Sequence, residues 1–408
     1  MLISFVCSKP YLLGPSIAFL NLLCRPKNLF LFDVNRNKPL RWLLKNLLYR
    51  QFCTGENSVE VKRTMDELRD LGFKGTILTY AKETTFNQST QSANGFGVSS
   101  EEENAVSGVC SNIEAWRQGT LNTVRMLGQG DQLALKLTGA GPVANEAFTA
   151  GELAPQQLMD ALEEICSMCR DRGVQVLVDA ESQHYQAGIA RTAVDLMRRY
   201  NRGTENHAVV FTTYQAYLKS TPATLRFHMA AALDEGFTLG LKLVRGAYMG
   251  TDKRSLIHDT KADTDAAYDD IAASVLRRSV GEFGTSRAFP SVELLLAGHN
   301  MGSIEAAHRL HRQRTRDGLP TVPVAFAQLH GMADRVSLEL LRMGGADGQR
   351  PSVYKCSTWG TMDECLAYLA RRATENRDAA SRTRDEYLAL KGEARSRVAA
   401  MIYGRSFA

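Results

Sequence analysis

Eight short apolar segments recur along the chain, and they constrain its fold more than any other feature. Each is bounded by Gly, Pro or polar residues, and most are separated by stretches long enough for one or two helices. Alternation of strands and helices with eight strands favours an α/β fold, a single (β/α)8 (TIM-like) barrel, over an open sheet. The predicted strands are 75–80, 132–138, 174–179, 209–214, 239–244, 292–297, 323–327 and 352–356.

Composition narrows the function classes. The 408 residues, 44% of them hydrophobic, can bury a large core. The net charge is +5, but the basic residues do not form a dense block, so nucleic-acid binding is not predicted. Cys166 and Cys169 form a lone C-x-x-C without a second pair, and no metal site is predicted. No G-x-G-x-x-G or G-x-x-x-x-G-K-[ST] stands at a strand-to-helix turn, which argues against classical dinucleotide and P-loop sites.

Two regions lie outside the regular alternation. Residues 1–45 are basic, with Asp33 their only acid, and we interpret them as an N-terminal helical extension that serves targeting or contacts a membrane surface. An alternative is a partly ordered extension that packs on the domain. The apolar stretch 12–23 is too short to span a bilayer. The main domain is predicted over 46–400, with a flexible polar insertion at about 84–106.

A helix is predicted from Thr361, because Thr361 and Glu364 form a capping-box pattern. One face of this helix is apolar, and the opposite face carries Tyr368, Arg371, Arg372 and Glu375. Two adjacent guanidinium groups suit a small carboxylate, which they can bind bidentately. The alternative is a solvated helix face with ordinary ion pairs.

Polar residues also follow six of the predicted strands. In a (β/α)8 barrel the carboxyl ends of the strands meet at one mouth, where catalytic residues lie. These side chains therefore predict a functional site at the mouth. They occupy 136–138, 179–181, 214–215, 242–248, 298–300 and 328–330.

Several motifs, in this order, resemble proline dehydrogenases: LVDAESQ (177–183), KLVRGAYM (242–249), AGHN (297–300), QLHGM (328–332) and YLARRATEN (368–376). QFCTGEN (51–57) and IHDTKADTDAAY (257–268) resemble the fungal mitochondrial branch of that family. The resemblance covers about residues 45–380. It implies a (β/α)8 barrel that holds non-covalent FAD at its mouth, with the C-terminal helix across the opening.

The resemblance also implies the reaction and its partners. It implies FAD-dependent oxidation of L-proline to 1-pyrroline-5-carboxylate, the first step of proline catabolism. Electrons would pass to ubiquinone or another acceptor of the respiratory quinone pool, and the protein would lie in the mitochondrial matrix, peripherally associated with the inner membrane.

The family's site residues transfer to matching positions of this chain. The implied catalytic residues are Lys136, Asp179 and Lys242. The implied substrate-binding residues are Lys136, Tyr368, Arg371 and Arg372. The implied cofactor-binding residues are Asp179, Gln215, Lys242, Val244, Gly246, Ala247, Tyr248, His299, Asn300, Gln328, Leu329, Arg372 and Glu375.

One departure from the family pattern bears on the substrate. Cys356-Ser-Thr stands where the family usually has Tyr-x-Pro, so a flat wall of the substrate pocket is lost. We expect a roomier pocket, suited to a larger cyclic amino acid such as hydroxyproline or less active on proline, unless Trp359 fills the space. Two other functions stay open: a non-catalytic paralogue, and a barrel aldolase or lyase that uses Lys136 or Lys242 as a Schiff-base amine.

Overall fold

The computed structural model describes residues 10–23, 34, 36–81, 83–87, 92–96, 109–204, 206–343, 350–378 and 392. The chain divides into two compact units. One comprises Asn57–Trp359, and the other combines Met1–Glu56 with Gly360–Ala408.

The first unit contains a closed barrel of eight parallel strands. Each strand pairs with its neighbours in chain order, and the first strand (Gly75–Tyr80) closes the barrel by pairing with both the second (Gln132–Leu135) and the last (Ser352–Trp359). The predicted (β/α)8 barrel is thereby confirmed. The barrel strands are β1 (Gly75–Tyr80), β4 (Gln132–Leu135), β5 (Gln175–Val178), β6 (Val210–Gln215), β7 (Leu239–Val244), β8 (Val292–Ala297), β9 (Val324–Leu329) and β10 (Ser352–Trp359).

The strands are buried on both faces, which explains why they read as apolar runs rather than as alternating patterns. Successive side chains point to opposite faces of a strand. On β7, Leu241 and Leu243 point outward into the main core, where the helices pack. On β5 and β6, Leu177 and Phe211 point inward and join the smaller cluster that fills the barrel.

Helices cover the barrel, and several begin at side-chain caps. Asn57 accepts hydrogen bonds from Val59 N and Glu60 N at the start of helix Ser58–Asp70, and Thr260 and Asp263 form a capping box at helix Lys261–Leu276. These helices are α4 (Ser58–Asp70), α5 (Ser111–Met126), α6 (Pro142–Thr149), α7 (Gln156–Asp171), α8 (Gln186–Tyr200), α9 (Thr221–Glu235), α10 (Lys261–Leu276), α11 (Met301–Arg316) and α12 (Asp334–Arg342).

A buried carboxylate braces the end of the barrel opposite the mouth. Asp131 precedes β4, is 1% exposed, and accepts hydrogen bonds from Thr76 N and Gly128 N, both at 2.9 Å. Arg69 pairs with its second oxygen at 2.5 Å. The carboxylate thus links the starts of β1 and β4 to helix α4.

Two sequence features take structural roles. Within the proposed insertion, β2 (Glu83–Asn87) and β3 (Ser92–Phe96) form an antiparallel pair, while residues 97–106 lie outside the described part. Cys166 and Cys169 are fully buried in α7, where burial raises the pKa of both thiols, that of Cys169 to about 12. The C-x-x-C therefore belongs to the core.

The second unit joins both terminal parts of the chain. Its helices are α1 (Pro10–Leu23), α2 (Lys38–Leu44), a π-helix (Lys45–Tyr49), α3 (Arg50–Phe52) and α13 (Met362–Asp378). Helix α13 packs against α1 and the π-helix, and the Tyr49 hydroxyl donates a hydrogen bond to Gly360 O at 2.6 Å. In the part of the chain that the structure describes, no helix is long and apolar enough to cross a membrane.

Candidate active site at the barrel mouth

Three charged side chains form one cluster at the carboxyl ends of β4, β5 and β7. Lys242 Nζ donates to Asp179 Oδ1 at 2.6 Å, and Lys136 Nζ lies 3.3 Å from Asp179 Oδ2. The side chains of Lys242, Asp179 and Lys136 are only 9%, 17% and 16% exposed. The structure therefore brings together the three residues for which the sequence predicts a catalytic role.

The two lysines keep Asp179 ionised. Burial of Asp179 acts to raise its pKa, but the charges of Lys242 and Lys136 outweigh burial and lower the pKa below its ordinary value. A carboxylate with a lowered pKa is a poor proton acceptor, and Asp179 is an ion-pair partner of both lysines. The cluster carries two ammonium groups and one carboxylate, hence a net charge of +1.

A buried carboxylate supports this cluster from below the rim. Glu181 is 1% exposed, accepts a hydrogen bond from Thr138 N at 3.1 Å, and also binds the Thr138 hydroxyl. Gln215, 3% exposed, donates from Nε2 to Glu181 O at 3.3 Å. These contacts fix the ends of β4, β5 and β6 against one another, next to Lys136 and Asp179.

The turn after β7 exposes its backbone. Val244 is half-buried, Gly246 and Ala247 are exposed, and Tyr248 is buried. Gly246 has a φ of +134°, and a Cβ at this position would lie 2.2 Å from Cδ1 of Tyr217. Glycine is therefore required here by the Tyr217 ring and the backbone conformation.

Arg245, within the same turn, is a residue that sequence reasoning missed. Its Nε donates to Asp265 Oδ1 at 2.6 Å, its Nη2 donates to the Ser303 hydroxyl at 2.8 Å, and its guanidinium carbon lies 4.3 Å from the centroid of the Tyr268 ring. Nη1 is buried, and among the described residues no acceptor lies within hydrogen-bond distance of it. Its place inside KLVRGAYM was the only available signal.

The predicted residues at the ends of β8 and β9 make hydrogen bonds within the fold. His299 Nε2 accepts a hydrogen bond from Leu329 N at 3.1 Å, and Asn300 caps α11 by accepting from Ser303 N at 3.3 Å. Gln328 is 1% exposed, accepts from the Ser337 hydroxyl at 2.9 Å, and donates to Gly298 O at 3.4 Å. The side chains of Asn300 and Gln328 thus have structural partners already.

Cys356 and Trp359 lie on opposite faces of β10. Cys356 packs against the cluster inside the barrel, which also includes Ala297, Ala325 and Ala327. The Trp359 indole donates from Nε1 to the Thr123 hydroxyl at 2.8 Å on helix α5, outside the barrel. The alternative that Trp359 fills the space beside Cys356 is therefore wrong, because strand alternation directs the two side chains apart.

Helix α13 of the second unit carries the arginine pair. It begins with the predicted capping box, in which Thr361 N donates to Glu364 Oε2 at 2.8 Å. Arg372 is only 6% exposed, and its guanidinium carbon lies 5.0 Å from the centroid of the Tyr368 ring. Arg371 is half-buried, so a fully solvated arginine face is wrong. The side chain of Glu375 lies outside the described residues.

The donor set of the first unit fits an anionic dinucleotide cofactor. The unsatisfied Nη1 of Arg245 and the net positive charge of the lysine cluster suit phosphate and electron-rich ring oxygens. Gly246 and Ala247 offer exposed backbone along the same rim. The residues present are thus compatible with FAD.

Comparisons with known proteins agree with this geometry. The family model described as Proline dehydrogenase matches residues 61–385. The chain is 28% identical over 397 residues to "Probable proline dehydrogenase, mitochondrial" of Schizosaccharomyces pombe, covering 86% of this chain and 79% of that protein. It is 29% identical over 408 residues to "Hydroxyproline dehydrogenase" of Bos taurus, covering 87% and 82%.

A solved structure has a similar fold. Proline utilization A (PutA) from Bdellovibrio bacteriovorus, inactivated by N-propargylglycine, aligns with a TM-score of 0.66 at 16% identity and covers 92% of this chain. This chain spans only 38% of that longer protein. The similarity concerns the fold.

Proposed function

Because the chain belongs to the proline dehydrogenase family, we propose that this oxidoreductase converts L-proline to 1-pyrroline-5-carboxylate with FAD as cofactor. The observation that carries the proposal is the buried Lys136–Asp179–Lys242 cluster at the mouth of a barrel that matches the family. FAD, when bound, accepts a hydride from the ring carbon next to the proline nitrogen. The chain's own residues bind, orient and set the charge of the site.

The arginine pair would bind the substrate carboxylate. Guanidinium groups form paired hydrogen bonds with carboxylates, and Arg371 and Arg372 are adjacent on α13. The buried position of Arg372 strengthens such a contact, because water competes less for a desolvated charge. Tyr368, whose ring lies beside Arg372, would pack against the proline ring.

The lysine cluster would favour the reactive form of the substrate. Proline must lose a proton from its nitrogen before the ring carbon gives up a hydride. Nearby positive charge disfavours the protonated amine and so lowers its pKa. Asp179 is held ionised between Lys136 and Lys242, so the proton would leave to solvent as the substrate binds.

The residues of the mouth would also hold FAD. We assign the flavin and its ribityl chain to Gln215, Lys242 and the 244–248 turn, and the adenosine end to His299, Asn300, Gln328 and Leu329. Arg245 supplies an additional donor that fits a phosphate. Arg372 and Glu375 keep the cofactor roles that the family resemblance implies.

A visible spectrum and a turnover assay test the proposal. The purified protein should be yellow, with flavin absorbance, and should reduce an artificial electron acceptor when L-proline is added. A colourless protein would favour the Schiff-base lyase, although both lysines form ion pairs with Asp179. A yellow protein without turnover would favour the non-catalytic paralogue.

Hydroxyproline is a second candidate substrate. Cys356 places a small side chain on the inner face of β10, and its cluster includes the small residues Ala297, Ala325 and Ala327 as well as Tyr354 of the same strand. A hydroxyproline dehydrogenase is among the relatives that the chain resembles. Comparing kcat/KM for L-proline and 4-hydroxy-L-proline decides which substrate the site prefers.

We propose a mitochondrial location, with electrons passed to quinone at the inner membrane. The S. pombe relative is named as mitochondrial, and residues 36–52 contain five basic and no acidic residues. In this segment Trp42, Leu43 and Leu47 are 68%, 45% and 36% exposed. Exposed apolar side chains among basic residues suit an anionic lipid surface. A C-terminal fluorescent fusion that stays diffuse in the cytosol would contradict the location.

A further inference from the structure

A second buried carboxylate joins three loops at the barrel mouth. Asp252 follows β7 and is 7% exposed. Its Oδ1 accepts hydrogen bonds from the Ser182 hydroxyl at 3.0 Å and from Gln183 N at 2.9 Å, in the loop after β5. Its Oδ2 accepts from the Tyr217 hydroxyl at 2.9 Å, in the loop after β6.

Tyr217 transmits this contact to the turn after β7. The ring lies where a Cβ of residue 246 would be, 2.2 Å from the nearest ring atom. Tyr217 N also donates to Arg245 O at 2.8 Å, which extends the β6–β7 pairing by one residue. The Tyr217 ring therefore packs closely against the backbone at Gly246.

Asp252 is itself anchored to the same turn. Its backbone N–H donates to Tyr248 O at 2.9 Å, so the carboxylate and the 244–248 segment form one unit. On the other side, Ser182 and Gln183 are three and four residues from Asp179, the centre of the lysine cluster. A carboxylate with three donors thus ties the segment that carries Asp179 to the segment that follows Lys242.

We propose that Asp252 is a positioning residue, which holds the 179–183 and 244–248 segments in their mutual arrangement through Ser182, Gln183 and Tyr217. Asp252 acts through these groups and not on the substrate. Burial raises the pKa of Asp252, although its three hydrogen-bond donors oppose that shift. Burying this carboxyl group costs free energy, and its role in joining the loops explains why the fold keeps it there. Only the catalytic consequence depends on the proposed function.

Three variants separate geometry from charge. Asp252→Ala removes all three contacts. Asp252→Asn keeps an oxygen for Ser182 and Gln183 and offers an amide N–H to the Tyr217 hydroxyl oxygen, so it preserves the geometry without the charge. Tyr217→Phe removes one contact with little change in packing. Asp131→Ala is the matched control, because Asp131 is also a buried carboxylate, bound by two backbone N–H groups and by Arg69, at the opposite end of the barrel.

Amide hydrogen exchange on the full chain gives a readout that is independent of turnover. Asp252→Ala should raise exchange in both 180–185 and 244–252, whereas Asp131→Ala should leave these segments unchanged and raise exchange near 75–77 and 128–131. In the proline assay we expect Asp252→Ala to lower kcat by about 10- to 100-fold at little-changed KM, since a small misplacement of reacting groups costs that much. Asp252→Asn should keep most of the wild-type protection against exchange and most of the wild-type kcat.

Each outcome is decisive. Unchanged exchange at 244–248 in Asp252→Ala overturns the proposal, as does an Asp252→Asn variant that is as impaired as the Ala variant. If Asp252→Ala does not fold, increased exchange at 244–248 in Tyr217→Phe supports the proposal and unchanged exchange refutes it. If Asp252→Ala loses protection against exchange but the wild type does not turn over proline, the proposed function is refuted while the positioning role stands.

Discussion

Restoring an aromatic ring at position 356 should change which substrate the site prefers. Cys356 points into the barrel, in the same inner cluster as Ala297, Ala325 and Ala327, and Trp359 is held on the other face of β10 by Thr123. Trp359 therefore does not occupy the place that a tyrosine at 356 would take, while Tyr354 lies two residues earlier on the same inner face. In Cys356→Tyr, the new ring should form a wall for the substrate.

The size of the effect follows from aromatic packing. A well-placed aromatic contact contributes about 0.5–1.5 kcal/mol beyond its buried area. Since about 1.4 kcal/mol corresponds to a factor of ten, kcat/KM for L-proline should rise by roughly 2- to 13-fold. For 4-hydroxy-L-proline it should fall by a similar factor, because the ring removes the space for the hydroxyl group.

The assay compares both substrates across three proteins. Wild type, Cys356→Tyr and Cys356→Ser are measured with the same artificial acceptor, together with their melting temperatures. Cys356→Ser retains a small side chain and should keep the wild-type ratio of kcat/KM values. A Cys356→Tyr protein that loses about 1–3 kcal/mol of stability and is slower on both substrates would show an overpacked barrel and refute the reasoning.

Three other predictions test separate parts of the molecule. Arg372→Met should weaken proline binding by about 2–4 kcal/mol while FAD stays bound, and an unchanged proline affinity would place the carboxylate site elsewhere. Trp42→Ser should weaken binding to anionic vesicles about tenfold. The control Phe227→Ser, which removes a side chain that is 72% exposed on the barrel unit, should not weaken it. Equal losses in both variants would contradict the idea that residues 36–52 contact lipid. Burial, together with the charge of Arg198, lowers the pKa of His228 to about 4. Below about pH 6.5 the unfolded chain therefore binds a proton at this residue that the folded chain does not bind. The free energy of unfolding should fall by up to about 3 kcal/mol between pH 6.5 and 4. Replacing His228 by Gln should flatten that slope.

The barrel strands were predictable because burial on both faces leaves a sequence signal that does not depend on distant contacts. Leu239–Val244 and Val292–Ala297 coincide with the predicted segments, and β1 was placed at its observed bounds. The position of the lysine cluster was predictable from the strand ends, because the carboxyl ends of the parallel strands meet at one rim of the barrel. Here local composition and global topology agree.

The supporting contacts of the site were not predictable, because they join residues far apart in the chain. Nothing near Asp252 distinguishes it from an exposed loop acid, and its role appears only when Ser182 and Tyr217 are brought to it. Likewise, the reason for glycine at 246 lies in the ring of Tyr217 rather than in its own motif. The side on which Trp359 lies follows from the continuation of β10 to residue 359, three residues beyond the predicted strand.

The hydrogen bond between Tyr49 and Gly360 has a consequence for biosynthesis. Its two residues are 311 positions apart, and the intervening chain forms the whole barrel. At about 5–20 residues per second, a ribosome needs roughly 15–60 s to pass from one to the other. During that interval the early helices have no partner from α13 and present apolar side chains to the cell. Chaperone occupancy of the nascent N-terminal segment should therefore persist until the last helix emerges.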